Sequence, residues 1–126
     1  MASILLCVLC LIAWFSYRVT IHHRRARTES EMAWIDYSIN KTLTRESWKN
    51  GYDYLNEVHQ KFPGIKIKGK SLVDPWGTPY LIQITHSNAT FNLQIRSAGR
   101  DRQFGTRDDQ TRGYDMPDEI PPGANP

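Results

Sequence analysis

With 126 residues, the chain has room for one small domain. Its only two cysteines, Cys7 and Cys10, both lie within a continuous apolar run, which excludes a disulfide-stabilised domain in the rest of the chain. The composition is 40% hydrophobic with a net charge of +3, but the residues of the apolar run are not available for a core.

The apolar run covers residues 4–15, reads ILLCVLCLIAWF and carries no charge. At about 1.5 Å per residue, a helix of this length falls short of a bilayer core of roughly 30 Å unless two residues on each side are included. A cleaved secretory signal is the alternative, but no basic residue precedes the run and no small-x-small cleavage site follows it. We therefore interpret residues 1–17 as a single uncleaved membrane anchor, in which Cys7 and Cys10 are small apolar residues.

A basic segment, RVTIHHRRAR, follows the anchor at residues 18–27. Arginines next to a membrane anchor are typical of contact with acidic headgroups, so membrane lipid is an expected partner. Nucleic-acid binding would need a recognisable fold or interleaved aromatic residues, and since neither is evident we expect no nucleic-acid partner. His22 and His23 are adjacent, diverge on a helix and lack an evident third ligand, which argues against a metal site.

Residues 18–62 carry apolar side chains at three- and four-residue steps, a spacing typical of an amphipathic helix. Since no breaker precedes Asn50, the simplest prediction is one long helix that continues from the anchor, with a kink at Asn50 and Gly51. Pro63 and Gly64 end it. Its apolar stripe is predicted to face the core and consists of Trp34, Ile35, Tyr37, Ile39, Leu43, Trp48, Tyr52, Leu55, Val58 and Phe62.

The next region, residues 63–115, is predicted to be a small β-sheet domain. Residues 65–68 are an edge strand, and the alternating apolar residues at 80–84 and 91–95 predict a hairpin around a short loop. The apolar face of the hairpin covers the stripe on the helix. The expected fold class is therefore α+β, with a long membrane-anchored helix packed on a small antiparallel sheet. The acidic, proline-rich residues 116–126 are predicted to be disordered.

A charged loop, SAGRDRQFGTRDDQT, follows the hairpin at residues 97–111. Its aspartates are Asp101, Asp108 and Asp109, and three arginines lie beside them. Calcium takes six to eight oxygens in tolerant geometry, and a loop with glycines can bring such carboxylates together with backbone carbonyls. A cation would relieve the repulsion among the carboxylates. The alternative is a solvated loop whose arginines form weak surface ion pairs.

Two motifs in this part of the chain resemble a known family when they are taken together. The first is DPWGTPY at residues 74–80, and the second is SAGRD at 97–101, continued by FGTRDD at 104–109. Over residues 72–109 the chain resembles the C-terminal half of the major pseudopilin of type II secretion systems. The resemblance implies a pilin-like fold, in which the long helix anchors the subunit in the inner membrane and later forms the core of a filament, with the sheet domain outside.

The resemblance also implies a calcium ion in the loop after the last strand. On this sequence the matching ligands are the carbonyl of Ala98, the side chains of Asp101, Asp108 and Asp109, and a carbonyl near Thr106. The neighbouring arginines lower the negative potential, so we expect weak affinity, on the order of 10⁻⁴ to 10⁻³ M.

By the same resemblance, the expected function is structural rather than enzymatic. The expected partners are copies of the chain or related pseudopilins and the inner-membrane secretion platform, with no small-molecule substrate. The alternative function is a monomeric, membrane-tethered, pilin-like binding module that does not assemble. A hydrolase triad of Ser97, His86 and Asp101 can be drawn, but neither a nucleophile elbow nor an oxyanion-hole signature accompanies it.

The first residues depart from the family pattern. Pseudopilins carry a basic leader that ends in Gly and is followed by Phe and a nearby Glu, and none of this occurs in residues 1–17. We expect either a truncated or misassigned start, or a pilin-like protein that is never processed. The positive-inside rule alone would place the basic cluster and the domain in the cytoplasm. A basic leader would restore the family's orientation, and we expect a single-pass inner-membrane protein with an extracytoplasmic, periplasmic domain.

Overall fold

A computed structural model describes residues 2–87 and 90–113, apart from the side chains of Arg45, Trp48 and Ser87. Within these residues the chain forms three helices and five strands. The predicted disordered tail at 116–126 and part of the hairpin loop lie outside the described residues.

The first helix, α1, covers Ala2–Thr42 and is about 62 Å long at about 1.5 Å per residue. Residues 2–20 are exposed around the whole circumference, whereas one face of the later turns is buried. The buried positions recur at three- and four-residue steps and are Thr28, Glu31, Met32, Ile35, Ser38 and Ile39. We refer to residues 2–20 as the projecting half of α1 and to residues 28–42 as its packed half.

Because α1 ends at Thr42, the prediction of one continuous helix as far as residue 62 is wrong. A short helix, α2, follows at Arg45–Lys49, and α3 follows at Tyr54–Lys61. The break has a local cause in two side chains. Thr44 Oγ1 accepts a hydrogen bond from the Ser47 N–H (3.1 Å), and Ser47 Oγ accepts one from the Thr44 N–H (2.8 Å). This reciprocal cap begins a new helix instead of continuing α1.

The connection between α2 and α3 lies at the expected kink. Gly51 has a φ of +79°, a left-handed conformation that glycine adopts without steric cost. Asp53 then caps α3, because its carboxylate accepts hydrogen bonds from the N–H groups of Leu55 (3.1 Å) and Asn56 (3.3 Å). After this reversal α3 packs against α1.

The predicted aromatic stripe does not form a single core face. Ile35 and Ile39 are fully buried, but Trp34 is 45% and Tyr37 is 55% exposed. Adjacent helix positions are about 100° apart, so these aromatic residues lie on a flank of the buried face. Trp34 stacks on Phe62 at the end of α3, with ring centroids 5.3 Å apart.

The strands form two small antiparallel sheets. In the first, β1 (Lys66–Lys68), which confirms the predicted edge strand, pairs with β2 (Ser71–Val73). The second has the order β3-β4-β5, formed by β3 (Leu81–Ser87), β4 (Thr90–Ser97) and β5 (Gln110–Gly113). The predicted hairpin is confirmed, whereas β5 was not predicted.

The register of the hairpin places its apolar residues opposite one another. Ile82 pairs with Ile95, and Ile84 pairs with Leu93. Side chains from both sheets, α1 and α3 form one core, which consists of Met32, Ile35, Ile39, Val58, Ile65, Leu72, Tyr80, Leu93 and Ile95. The α+β class, with a long N-terminal helix packed on small antiparallel sheets, is therefore confirmed.

Candidate functional site

The DPWGTPY segment folds into a turn around the Asp74 carboxylate, which is only 1% exposed. Asp74 Oδ1 accepts hydrogen bonds from the N–H groups of Trp76 (3.0 Å) and Thr78 (2.9 Å). Gly77 lies within the turn with a φ of +91°. A carboxylate that accepts nearby backbone N–H groups favours a turn, and glycine tolerates the left-handed position. The aspartate and the glycine of the motif are therefore explained by local backbone geometry.

The same carboxylate joins the two motifs. Asp74 Oδ2 accepts a 2.6 Å hydrogen bond from Ser97 Oγ, and Ser97 Oγ accepts a 3.2 Å hydrogen bond from the Gly99 N–H. All three residues are buried. Because hydrogen bonds to a charged group are short and strong, this link ties the turn before the hairpin to the charged loop after it.

Ser97 serves this link rather than a hydrolase triad. Its hydroxyl donates to Asp74. His86 packs against Phe91 across the hairpin, with ring centroids 4.7 Å apart. Asp101 accepts a hydrogen bond from a backbone N–H of its own loop. Each of the three candidate residues therefore has a different set of partners.

In the charged loop, Asp101 and Asp109 both approach the Thr106 side chain. Thr106 Oγ1 lies 3.4 Å from Asp109 Oδ1, and Asp109 Oδ2 accepts a 2.8 Å hydrogen bond from the Gly105 N–H. A hydrogen bond from the Thr106 side chain, together with one from the Gln103 N–H, lowers the pKa of Asp101. The lowered pKa keeps the Asp101 carboxylate in the ionised, oxygen-donor form that a cation requires.

Asp108 has a different partner, and its backbone closes the loop. Its Oδ2 lies 3.7 Å from Arg100 Nε. A Cβ added to Gly99, whose φ is +70°, would lie 2.0 Å from the Asp108 carbonyl oxygen. Only glycine therefore permits the two ends of the loop to approach this closely.

Of the residues predicted to bind calcium, Asp101 and Asp109 both approach Thr106, but at its side chain rather than at the predicted carbonyl, and the other two residues have different surroundings. Asp101, Thr106 and Asp109 meet at the Thr106 side chain, Asp108 pairs with Arg100, and Ala98 is buried. Across residues 2–87 and 90–113, no three acidic, histidine or cysteine side chains are arranged to hold a metal ion. The donors present are all oxygens, the ligand type that calcium takes, so the chemistry of the donor set fits this ion.

A buried carboxylate on α1 connects the helix to the sheet domain. Glu31 is 2% exposed and accepts hydrogen bonds from Arg27 Nε (2.9 Å) and the Tyr80 hydroxyl (2.8 Å). Burial, and then the neighbouring Glu31 charge, raises the pKa of Tyr80. Sequence reasoning missed Glu31, although an acidic residue one turn before Ile35 in the apolar stripe was a usable signal.

Strand β5 makes further connections to α1. The Gln110 side-chain amide donates to the carbonyl of Arg25 and to Glu29 Oε1, both at 3.3 Å. Arg112 Nε lies 2.9 Å from Asp36 Oδ2. The strand that follows the charged loop is therefore attached to α1 at two positions along the helix.

The projecting half of α1 has the character of a membrane span. An 18-residue window of the helix has a mean hydropathy of 2.1, and none of that window is buried by the rest of the described chain. By length and composition α1 could therefore cross a membrane. Cys7 and Cys10 are exposed on this half as free thiols.

No protein-family model, curated protein or solved structure matches the chain. These comparisons therefore assign no family. The functional conclusion depends on the geometry of the helix, the turn and the charged loop.

Proposed function

We propose that the chain is a pseudopilin-like structural subunit of a type II secretion filament or a related pilus-like filament. The observation that carries the proposal is the division of α1. Its projecting half is apolar and exposed, and its packed half holds the sheet domain. A subunit of this shape offers a helical rod for packing with other rods and a folded domain for the outside of the assembly.

The apolar side chains of the projecting half must be shielded from water. Side chains such as Ile4, Leu11 and Phe15 are more than half exposed. Apolar surface gains about 25 cal/mol per Å² when it leaves water, so these residues favour lipid or neighbouring helices over solvent. Lipid covers the part of this surface that faces the bilayer, and the helices of neighbouring subunits cover the rest, first in the membrane and then in the filament. Small polar side chains on the same half, such as Ser16, suit close helix packing.

A filament subunit also needs a domain held in a fixed orientation on its rod. The link from Glu31 to Tyr80, just before β3, and the contacts of Gln110 and Arg112 in β5 attach the domain to α1 at two separate places. Side chains buried between helix and sheet add to this rigidity. Contacts made by one domain with its neighbours would therefore be transmitted to the rod.

The location follows from the same proposal. The chain is a single-pass inner-membrane protein whose domain faces the periplasm, where it meets related pseudopilins and the secretion platform. A calcium site of the weak extracellular class, with a Kd on the order of 10⁻⁴ to 10⁻³ M, would be filled only outside the cytoplasm.

Calcium would be held by the carbonyl of Ala98, the region of Thr106 and the carboxylates of Asp101, Asp108 and Asp109. Bound calcium supplies a positive charge that cancels the repulsion among the acidic groups. The chain's own part is to present the oxygens on a loop already fixed to Asp74 through Ser97. Because the unfolded loop binds calcium poorly, binding adds to the free energy of unfolding.

The test is crosslinking of the full chain in its native membrane with a lysine-reactive reagent. Lys66, Lys68 and Lys70 are exposed on the domain and provide reactive amines. We expect a ladder of oligomers in the membrane and its loss after dilution in detergent micelles. A lone monomer band in the membrane would contradict assembly and favour the alternative, a monomeric tethered module.

A further inference from the structure

A small cavity lies between α1 and the charged loop, with a volume of 190 Å³. Its charged lining includes three guanidinium groups, from Arg25 on the helix and from Arg100 and Arg107 on the loop, against the single carboxylate of Asp108. Two segments far apart in the sequence therefore contribute positively charged side chains to one cavity. Folding, rather than the local run of arginines at residues 18–27, creates this concentration of charge.

Trp76, from the DPWGTPY turn, lines the same cavity. The residue is 6% exposed, and its indole N–H has no hydrogen-bond partner among the described residues. A buried donor without a partner costs free energy, so an acceptor supplied by a ligand would stabilise it. The nitrogen has less than 1 Å² of accessible surface, so a phosphate oxygen would reach it only after a small shift of the cavity wall. The three guanidinium groups are suited to phosphate oxygens without such a shift.

A second cavity of 390 Å³ lies next to the first and shares Ile21, Arg25 and Arg100 with it. Its remaining lining is Trp14, Tyr17, Arg18 and His22 on the helix. Arg100 donates to the Tyr17 hydroxyl at 3.4 Å, so the loop contacts the helix directly where the apolar run ends. Tryptophan and tyrosine at such a position are typical of the membrane–water interface.

The depth along the helix fits the headgroup region. At about 1.5 Å per residue, Arg18 is roughly 5 Å and Ile21 roughly 9 Å beyond Phe15, the last residue of the apolar run. The headgroup region of a bilayer extends about 5–8 Å beyond each side of the hydrocarbon core. Arg18 is therefore at the level at which phospholipid phosphates occur, and Ile21 lies just beyond it. Arg25, roughly 15 Å beyond Phe15, reaches toward that level only through its side chain, which leans toward the N-terminus of the helix.

We propose that these adjoining cavities bind the phosphate of an anionic phospholipid, with Arg25, Arg100, Arg107 and the Trp76 N–H as its donors. A lipid is the occupant because the cavities continue directly from the apolar span, so that acyl chains can lie along the projecting half while the phosphate enters between helix and loop. The site would fix the height and rotation of the domain on the membrane before assembly. The inference rests on the membrane-anchor part of the proposed function and is independent of filament formation, although Asp108 of the smaller cavity is also a proposed calcium ligand.

The test uses native mass spectrometry of the full chain released from micelles that contain phosphatidylglycerol or phosphatidylcholine. We expect the wild-type chain to retain phosphatidylglycerol in preference to phosphatidylcholine. Arg100→Gln should bind phosphatidylglycerol about five-fold more weakly, the factor that corresponds to about 1 kcal/mol for one arginine near a membrane surface. Arg102→Gln is the matched control, since it removes the same charge from the same loop at a position that lines neither cavity.

A second variant keeps the test valid if Arg100→Gln disturbs the loop. Trp76→Phe retains an aromatic ring but lacks the N–H donor, and we expect about ten-fold weaker phosphatidylglycerol binding from the loss of a hydrogen bond to a charged group. Equal effects of Arg100→Gln and Arg102→Gln would overturn the site in favour of general charge attraction. Displacement of phosphatidylglycerol by millimolar inorganic phosphate would overturn it in favour of a soluble anion.

Extraction of the chain with alkaline carbonate separates the two proposals. A chain that carbonate removes from the membrane has no membrane anchor, and both the proposed function and the lipid site would then be wrong. A chain that stays in the membrane but shows no preference for phosphatidylglycerol would overturn the lipid site alone.

Discussion

Replacing Ser97 with alanine tests the hydrogen bond that ties the DPWGTPY turn to the charged loop. The substitution removes the donor of the 2.6 Å bond and leaves Asp74 Oδ2 buried without it. A hydrogen bond to a charged group contributes about 1.5–3 kcal/mol, and an unpaired buried partner adds to the loss. We therefore expect the free energy of unfolding to fall by about 2–3 kcal/mol.

The assay is thermal unfolding of the full chain in detergent micelles, followed by near-UV circular dichroism of the buried aromatic side chains. In a domain of 60–100 residues, 1 kcal/mol changes the Tm by about 4–8 °C, so Ser97→Ala should lower the Tm by roughly 8–24 °C. Ser30→Ala is the matched control, because the Ser30 hydroxyl is exposed and donates only to the Ala26 carbonyl one helical turn away. A Tm for Ser97→Ala within about 4 °C of both the control and the wild type would refute the reasoning.

Three further predictions address the calcium site, the loop closure and the buried tyrosine. Calcium at 100 times its Kd should stabilise the wild type by about 2.7 kcal/mol, and Asp101→Ala should abolish this stabilisation. If a chelator changes the Tm of the variant as much as that of the wild type, the calcium site is contradicted. Gly99→Ala should lower the free energy of unfolding, measured in urea, by about 2 kcal/mol or more, because the new Cβ would meet the Asp108 carbonyl. Gly105→Ala is the control: Gly105 is also at positive φ, but a Cβ there would have nothing within 4 Å, so the loss should be about 1 kcal/mol. The raised pKa of Tyr80 means that stability is fully present below pH 10.0, where the free phenol ionises, and is lost as the pH rises further. Tyr80→Phe should weaken this loss in urea unfolding at alkaline pH, and an unchanged pH dependence would show that Tyr80 does not cause it.

Much of the fold was accessible from the sequence because the patterns were regular. The alternation at Ile82 and Ile84, and at Leu93 and Ile95, predicted a hairpin whose register brings these pairs together. An uncharged apolar run predicted the exposed start of α1. In both places local periodicity and tertiary packing favour the same structure.

The errors occurred where a local hydrogen bond or a distant contact decided the structure. The break after Thr42 depends on the mutual capping of Thr44 and Ser47, which apolar spacing does not reveal. Strand β5 has the sequence QTRG and no apolar alternation. It forms because β4 provides a free edge and because Gln110 bonds to α1.

Only part of the candidate site could be predicted from the sequence. The two motifs were recognised as a pair, but the hydrogen bond from Ser97 to Asp74 that joins them connects positions far apart in sequence. The proposed anionic-lipid site was likewise hidden, because Arg100 and Trp76 come together with the helical Arg25 only after folding. The spacing of residues in the sequence identifies hydrogen-bond donors within one segment. A site formed by three segments can be identified only when the packing of those segments is known.

The central claim is that the projecting half of α1 packs against the same half of other copies in the membrane. A scan of single cysteines at positions 8–14, in a Cys7→Ser/Cys10→Ser background, tests it most directly, because seven consecutive positions cover about two turns and therefore every side of the helix. Under mild oxidation in the membrane, we expect disulfide-linked dimers at positions that recur every three or four residues. Absence of a dimer at every position, in a chain that carbonate does not extract, would contradict the claim.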